Sequence, residues 1–173
     1  WAHVHPHGMD LLASLGAALG ALDRGLADFD APQARRSLKW DLRQAGWIRA
    51  FINHIPEGPR RALVTRCLDD FEARVLPALE ALPHGVIYND ANDYNIIVSE
   101  DGARVAGLID FGDMCHTARI AEPAIAAAYA AMGLRDPVAG IARLIGGYHA
   151  ACPVSEAELD VLHALILLRL CVS

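Results

Sequence analysis

The sequence predicts an α+β fold that is mostly helical and carries one small β insertion. Three observations support this. Helical periodicity fills the first half of the chain before any strand signal appears. Short β-branched runs then cluster between residues 86 and 110. Helical periodicity resumes after them and continues to the end.

Taken in order, Leu11, Leu15, Ala18, Leu22 and Leu26 recur at helical spacing and predict an amphipathic helix over 9–28. Leu38, Leu42, Ala45, Ile48 and Ile52 mark a second helix, with Pro32 near its start. Trp40 and Trp47, seven apart on that helix, read as core. After the breaker PEGPR (56–60), Val64, Cys67, Phe71, Val75, Leu79 and Leu82 mark a third, kinked at Pro77. Val86–Tyr88, Asn95–Ser99 and Arg104–Asp110 then read as strands, and EDG (100–102) as the hairpin turn between the last two. Helices follow at about 119–132, 136–151 and 155–171, the last opening on Ser155 and Glu158 at capping-box spacing.

At 173 residues the chain suits a single domain with one sizeable core. A net charge of −6, with no local Lys/Arg cluster to offset it, argues against a nucleic-acid partner. No stretch of about 20 apolar residues is present to span a membrane. No basic segment precedes an apolar run at the start, and the first residue is Trp1. The expectation is therefore a cytoplasmic protein, represented here by a fragment that also stops within its final helix. Cys67, Cys115, Cys152 and Cys171 form no C-x-x-C pair and read as reduced, buried small hydrophobes.

The dense polar chemistry lies in VIYNDANDYNIIV (86–98), where Asn89, Asp90, Asn92, Asp93 and Asn95 crowd seven positions. A turn needs one or two such residues. If the strands after Asn95 and before Asp110 pair as an antiparallel hairpin, Asn95 and Asp110 share its open end, with Asp90 one short loop away. Oxygen ligands converging there suit Mg²⁺, which takes one or two carboxylates and completes its shell on phosphates. A carboxylate left free of metal could orient or deprotonate a hydroxyl. Such a set is half of a phosphoryl-transfer site. Turn chemistry and capping would explain the same residues. A calcium loop would not, because Tyr94 and Asn95 occupy its third-ligand and glycine positions. GARVAGLI (102–109) fails as a P-loop, because Leu and Ile stand where Lys and Ser/Thr are required.

The spacing Asp90-x-x-x-x-Asn95, followed by a strand, a turn and Ile109-Asp110-Phe111-Gly112, resembles the H-x-D-x-x-x-x-N and I-D-[FW]-G motifs of the aminoglycoside phosphotransferase/choline kinase superfamily. NDANDYN with IDFGDM-x-H resembles its hydroxylysine-kinase-like branch in particular. The similarity extends through LKWDL (38–42) and EPAIAAAYA (122–130). It implies the C-terminal lobe of a protein-kinase-like fold, with the hairpin carrying the catalytic loop. It also implies ATP as phosphoryl donor, Mg²⁺, and a small-molecule hydroxyl acceptor that bears an amine, such as hydroxylysine or an aminoglycoside-like compound. Asp90 would be the catalytic carboxylate, and Asn95 and Asp110 the metal ligands. Tyr88, where the family normally has His, and Asn89 would support the loop.

Asp93, Asp113 and His116 could contact substrate or be solvated or structural. Glu122 reads as a helix cap. His3, His5 and His7 read as an exposed connector from a missing N-terminal lobe. That lobe would supply the Gly-rich loop and phosphate-anchoring lysine absent here, where Lys39 is the single lysine. Two other classes compete: a non-catalytic kinase-like binding module within a larger protein, favoured by Tyr88, and a metal-dependent phosphohydrolase, which lacks a second carboxylate-rich motif.

Overall fold

The computed structural model describes residues 1–4 and 7–173. Helix α1 (Met9–Gly25) is followed by a long 3-10 helix (Leu42–His54), and then by α2 (Pro59–Asp70). A π-helical turn (Phe71–Val75) joins α2 to the short α3 (Leu76–Leu79). That turn absorbs the missing N–H of Pro77, so the expected kink takes the form of a widened turn.

The expected second helix differs most. Residues 35–41 are irregular, and the 3-10 helix begins only at Leu42, where the Asp41 carboxylate caps the Arg43 N–H at 3.0 Å. Trp40 therefore lies outside any helix and is 36% exposed, contrary to the expected core position. Asp41 is itself buried and fixed by Thr117 Oγ1 at 2.8 Å, so tertiary contacts decide where this helix starts. Trp47 is half-buried, its indole N–H donating to the Lys39 carbonyl.

Among the described residues four strands form two antiparallel pairs. β1 (His84–Ile87) pairs with β4 (Cys115–Ala118), and β2 (Ile96–Val98) with β3 (Val105–Leu108). β4 was not expected, because CHTA alone is too short to read as a strand. The registers Ile87↔Cys115 and Ile96↔Leu108 put the end of β1, the start of β2, the end of β3 and the start of β4 together. The connecting segments 88–95 and 109–114 must therefore meet. This topology builds the polar site.

Behind the strands, α4 (Ala121–Ala131) is buried on nearly all sides, and α5 (Pro137–Ala151) and α6 (Glu156–Val172) pack on it. Its sequence AEPAIAAAYAA suits a central helix, since alanines let neighbours approach from every direction. α1 lies against α5 along a seam of glycines. A Cβ on Gly16 would sit 1.9 Å from the Leu144 carbonyl oxygen, and one on Gly147 2.2 Å from that of Ala13. The expected capping box opens α6 at Ser155 and Glu158.

His7 is buried against the Trp1 ring at 4.0 Å, which corrects the expected exposed connector; His5 lies outside the described residues. All four cysteines are free, Cys115 and Cys152 buried, Cys67 and Cys171 half-buried. No helix among the described residues is long and apolar enough to cross a membrane.

Candidate active site

The segment after β1 turns sharply at Asn89, whose φ of 67° is left-handed, a conformation that asparagine tolerates better than most side chains. Four contacts hold the turn among the described residues. The Asn89 N–H donates to Glu122 Oε2 at 2.8 Å, and its side-chain amide donates to the Asp113 carbonyl at 3.2 Å. Tyr88, fully buried, donates its hydroxyl to the Ile109 carbonyl and packs its ring against Phe111. The loop after β1 is thus tied to the segment after β3 and to the first turn of α4.

Asp90 follows, partly exposed. Asn95 Nδ2 donates to its Oδ2 at 2.6 Å and Asn92 Nδ2 to its Oδ1 at 2.9 Å. Burial raises the Asp90 pKa, opposed by the Asn92 hydrogen bond and reinforced by the Asp113 charge. Asn95 is buried, and its carbonyl accepts the Ile109 N–H at 3.0 Å, one residue from Asp110. Asp110 is exposed and left-handed (φ 60°), with Oδ1 accepting the Gly112 N–H at 3.3 Å. The acid at 90, the amide at 95 and the acid at 110 therefore gather at one end of the two strand pairs.

Among the described residues no three His, Cys, Asp or Glu side chains cluster tightly enough to hold a metal by themselves. Exposed Asp110 and the amide oxygen of buried Asn95 instead offer two hard donors from the same end of the strand pairs. That donor set fits Mg²⁺, which keeps waters and completes its shell on phosphates rather than in an all-protein cage.

Asp90 and Asp113 face a cleft of about 470 Å³, walled by Trp40, Tyr129 and Arg169. Asp93 does not line it; its backbone carbonyl instead accepts the Ala2 N–H at the start of the chain. His116 does not line it either. It stands on β4 with its ring stacked on His84, in a separate basic recess beside Arg35, Arg36 and Arg43. Burial, then Arg35 and His84, hold the His116 pKa below its ordinary value.

Two residues take parts the sequence did not suggest. Glu122, expected as a cap, is fully buried and braces the loop at Asn89; burial, then the Asp23 charge, push its pKa well up. Arg169 approaches Asp90 Oδ1 to 3.8 Å from α6. A lone charge inside HALILLRLCV was the available signal.

The model of the phosphotransferase enzyme family matches residues 3–159. Among curated relatives, hydroxylysine kinase of Bos taurus is 26% identical over 97% of this chain and 48% of its own length. That of Danio rerio is 25% identical over 94% and 48%. The chain spans about half the length of the curated relatives it matches. The solved amicoumacin kinase hAmiN, in complex with AMP-PNP, Ca²⁺ and Ami, superposes with a TM-score of 0.68 at 14% identity, over 96% of this chain and 50% of that one. A kinase-like fold, a loop with Asp90 and Asn95 at family spacing, and a family match over most of the sequence agree: the chain belongs to the phosphotransferase enzyme family.

Proposed function

We propose that this chain is the acceptor-binding and metal-binding lobe of an ATP-dependent kinase that phosphorylates a hydroxyl on a small, amine-bearing molecule. Hydroxylysine is the leading acceptor and an aminoglycoside-like compound the second. The observation that carries this reading is the hydrogen bond from Asn95 Nδ2 to Asp90 Oδ2 at 2.6 Å. It fixes the carboxylate at the mouth of the cleft while the strand end at Asp110 stays open to solvent.

In this reading Asp90 accepts a hydrogen bond from the acceptor hydroxyl, aligns its oxygen for attack on the γ-phosphorus, and takes up its proton as the new bond forms, the bond to the bridging oxygen breaks and ADP leaves. Asn95 holds Asp90 in that orientation. Asp110 and Asn95 are the residues that would hold Mg²⁺, which supplies charge neutralisation on the phosphates when bound. Asp113, across the cleft, offers a counter-charge to the acceptor's amine. The names of the curated relatives and the AMP-PNP and Ca²⁺ of the solved neighbour support the same assignment.

Tyr88, where the family carries His, bears on the rival reading of a non-catalytic module. Its buried hydroxyl ties the loop to Ile109, so the brace is supplied by different chemistry rather than lost.

The nucleotide-anchoring lobe lies outside this chain in our proposal, so the chain alone is expected to be inactive and to bind ATP weakly. Ordinary micromolar ATP binding by this chain in calorimetry would overturn that part. The central test is Mg²⁺-dependent transfer of phosphate from ATP to a panel of amino alcohols by the full-length protein. No ATP turnover with any acceptor would leave the non-catalytic module standing.

A further inference from the structure

α6 is apolar along most of its length, yet its last turn places a guanidinium at the base of the cleft. The Arg169 side chain is only 5% exposed. An arginine stays charged at any physiological pH and carries five N–H donors, so a buried one needs counter-charge and acceptors. Arg169 has little of either. Among the described residues its single side-chain hydrogen bond runs from Nη2 to the Tyr129 hydroxyl at 2.9 Å. The rings of Tyr129 and Trp40 lie 5.2 and 5.9 Å from Cζ and supply cation–π contact only. Nε and Nη1 have no hydrogen-bond partner among the described residues.

The nearest carboxylate is Asp90, and it does not complete the set. At 3.8 Å its Oδ1 is beyond hydrogen-bond distance of Nη2. Both Asp90 oxygens already accept from Asn92 and Asn95, and the proposed function directs what remains toward the acceptor hydroxyl. The cleft therefore presents an under-compensated cation beside two acids, Asp90 and Asp113. A plain amine or polycation would be drawn to the acids but would leave Arg169 short of an anion. A zwitterion would satisfy both signs.

We infer that Arg169 anchors a carboxylate on the acceptor, so that the substrate class is a hydroxy amino acid rather than an amino alcohol lacking the acid or a polycationic sugar. This inference rests on the proposed function for its site and deepens it. Trp40 and Tyr129 flank the guanidinium and limit its hydration, which strengthens the attraction for an incoming carboxylate. Arg169 is here a specificity-determining residue; the reacting atoms remain those at Asp90.

The test uses the full-length protein with two acceptors that share hydroxyl and amines, hydroxylysine and its decarboxylated diamino alcohol. The expected result is a kcat/KM preference for hydroxylysine on the order of 30-fold, the scale of one lost charge pair. In Arg169→Met the ratio between the two acceptors should collapse toward unity through KM, and Arg169→Lys should restore part of it. Because a buried substitution can impair folding, a second readout follows the Nε–H resonance of Arg169 in the unmutated protein by NMR. It should move on addition of hydroxylysine and stay in place with the diamino alcohol or with Mg²⁺-ATP alone.

Equal responses to both acceptors overturn the inference, as does a preference that survives Arg169→Met or a shift caused by nucleotide alone. Phosphorylation of both acceptors without preference removes this anchor while leaving the proposed function intact. A hydroxylysine-specific shift without phosphoryl transfer does the reverse. A protein that neither transfers phosphate nor shows the shift loses both.

Discussion

The buried carboxylate of Glu122 accepts the backbone N–H of Asn89 at 2.8 Å, and so joins the central helix to the loop that presents Asp90. A left-handed residue at Asn89 needs such support, because its strained backbone persists only where surrounding contacts over-determine it. Burial favours the neutral acid at Glu122. Glu122→Gln, which keeps the acceptor and removes only the ionisable proton, should therefore cost less than about 1 kcal/mol. Glu122→Ala leaves the Asn89 N–H buried and unpaired. It should cost about 1–3 kcal/mol and lower kcat of the full-length protein by about 10²-fold through misplacement of Asp90. Urea unfolding and kcat of both variants check this; equal effects of Gln and Ala would remove the brace.

Asp90→Asn should reduce turnover by about 10²–10⁴-fold, the usual worth of a positioned acid or base. Nucleotide affinity should stay unchanged, because the proposed ligands of the nucleotide's metal are Asn95 and Asp110, not Asp90. Turnover equal to the parent would take Asp90 out of the mechanism.

Asp110→Asn keeps the shape of the side chain and the acceptor for the Gly112 N–H, but removes the charge. The Mg²⁺ concentration for half-maximal activity should rise at least about tenfold, since even outer-sphere partners of metals are worth that much. An unchanged Mg²⁺ titration would assign the metal elsewhere.

The glycine seam gives a paired stability test. Gly16→Ala would force a methyl group to within 1.9 Å of a backbone carbonyl, and overpacking against backbone should destabilise by about 3 kcal/mol. Gly146→Ala, on an open face of the same helix pair with nothing within 4 Å, should instead stabilise by about 0.5–1 kcal/mol. Chemical denaturation of the two variants should give opposite signs.

Asp23 supplies a pH dependence. It is buried beside Tyr148, Arg119 and Glu122, and burial raises its pKa from 3.8 to about 7 against the Tyr148 hydrogen bond. The folded state thus binds a proton that the unfolded chain has already released. This contribution to stability is complete below the unfolded value and is lost as pH rises from about 4 to about 7. Asp23→Asn, which cannot ionise, should flatten the decline by about 1–3 kcal/mol between about pH 5 and about pH 8. Glu122 and Asp90, whose shifts have the same sign, contribute to the slope that remains. An equally steep decline in the variant would place Asp23 outside the titration.

The helices were legible because their signals are local. Leu11, Leu15 and Leu22 in α1 and the Ser155–Glu158 box of α6 act within one or two turns, so pattern and propensity agree with the packed result. The strand β4 was not legible, since CHTA becomes a strand only by pairing with His84–Ile87 some thirty residues earlier. Trp40 departs from its local pattern for a related reason. Its periodicity with Trp47 is real, but the Asp41–Thr117 contact delays the helix to Leu42 and turns Trp40 toward the cleft.

The sequence alone singled out Asp90, Asn95 and Asp110 as the candidates for the chemistry. The spacing of Asp90, Asn95 and Asp110 around a hairpin is carried by short-range backbone geometry. Only the tertiary structure decided which neighbours join them. It separated Asp93 and His116 from the cleft, brought Asp113, Trp40 and Arg169 to it, and converted Glu122 from a cap into a loop brace. These assignments depend on how α4 and α6 pack behind the strands. A linear pattern records burial and periodicity, whereas a cleft is made by groups from distant segments whose meeting no local interaction encodes.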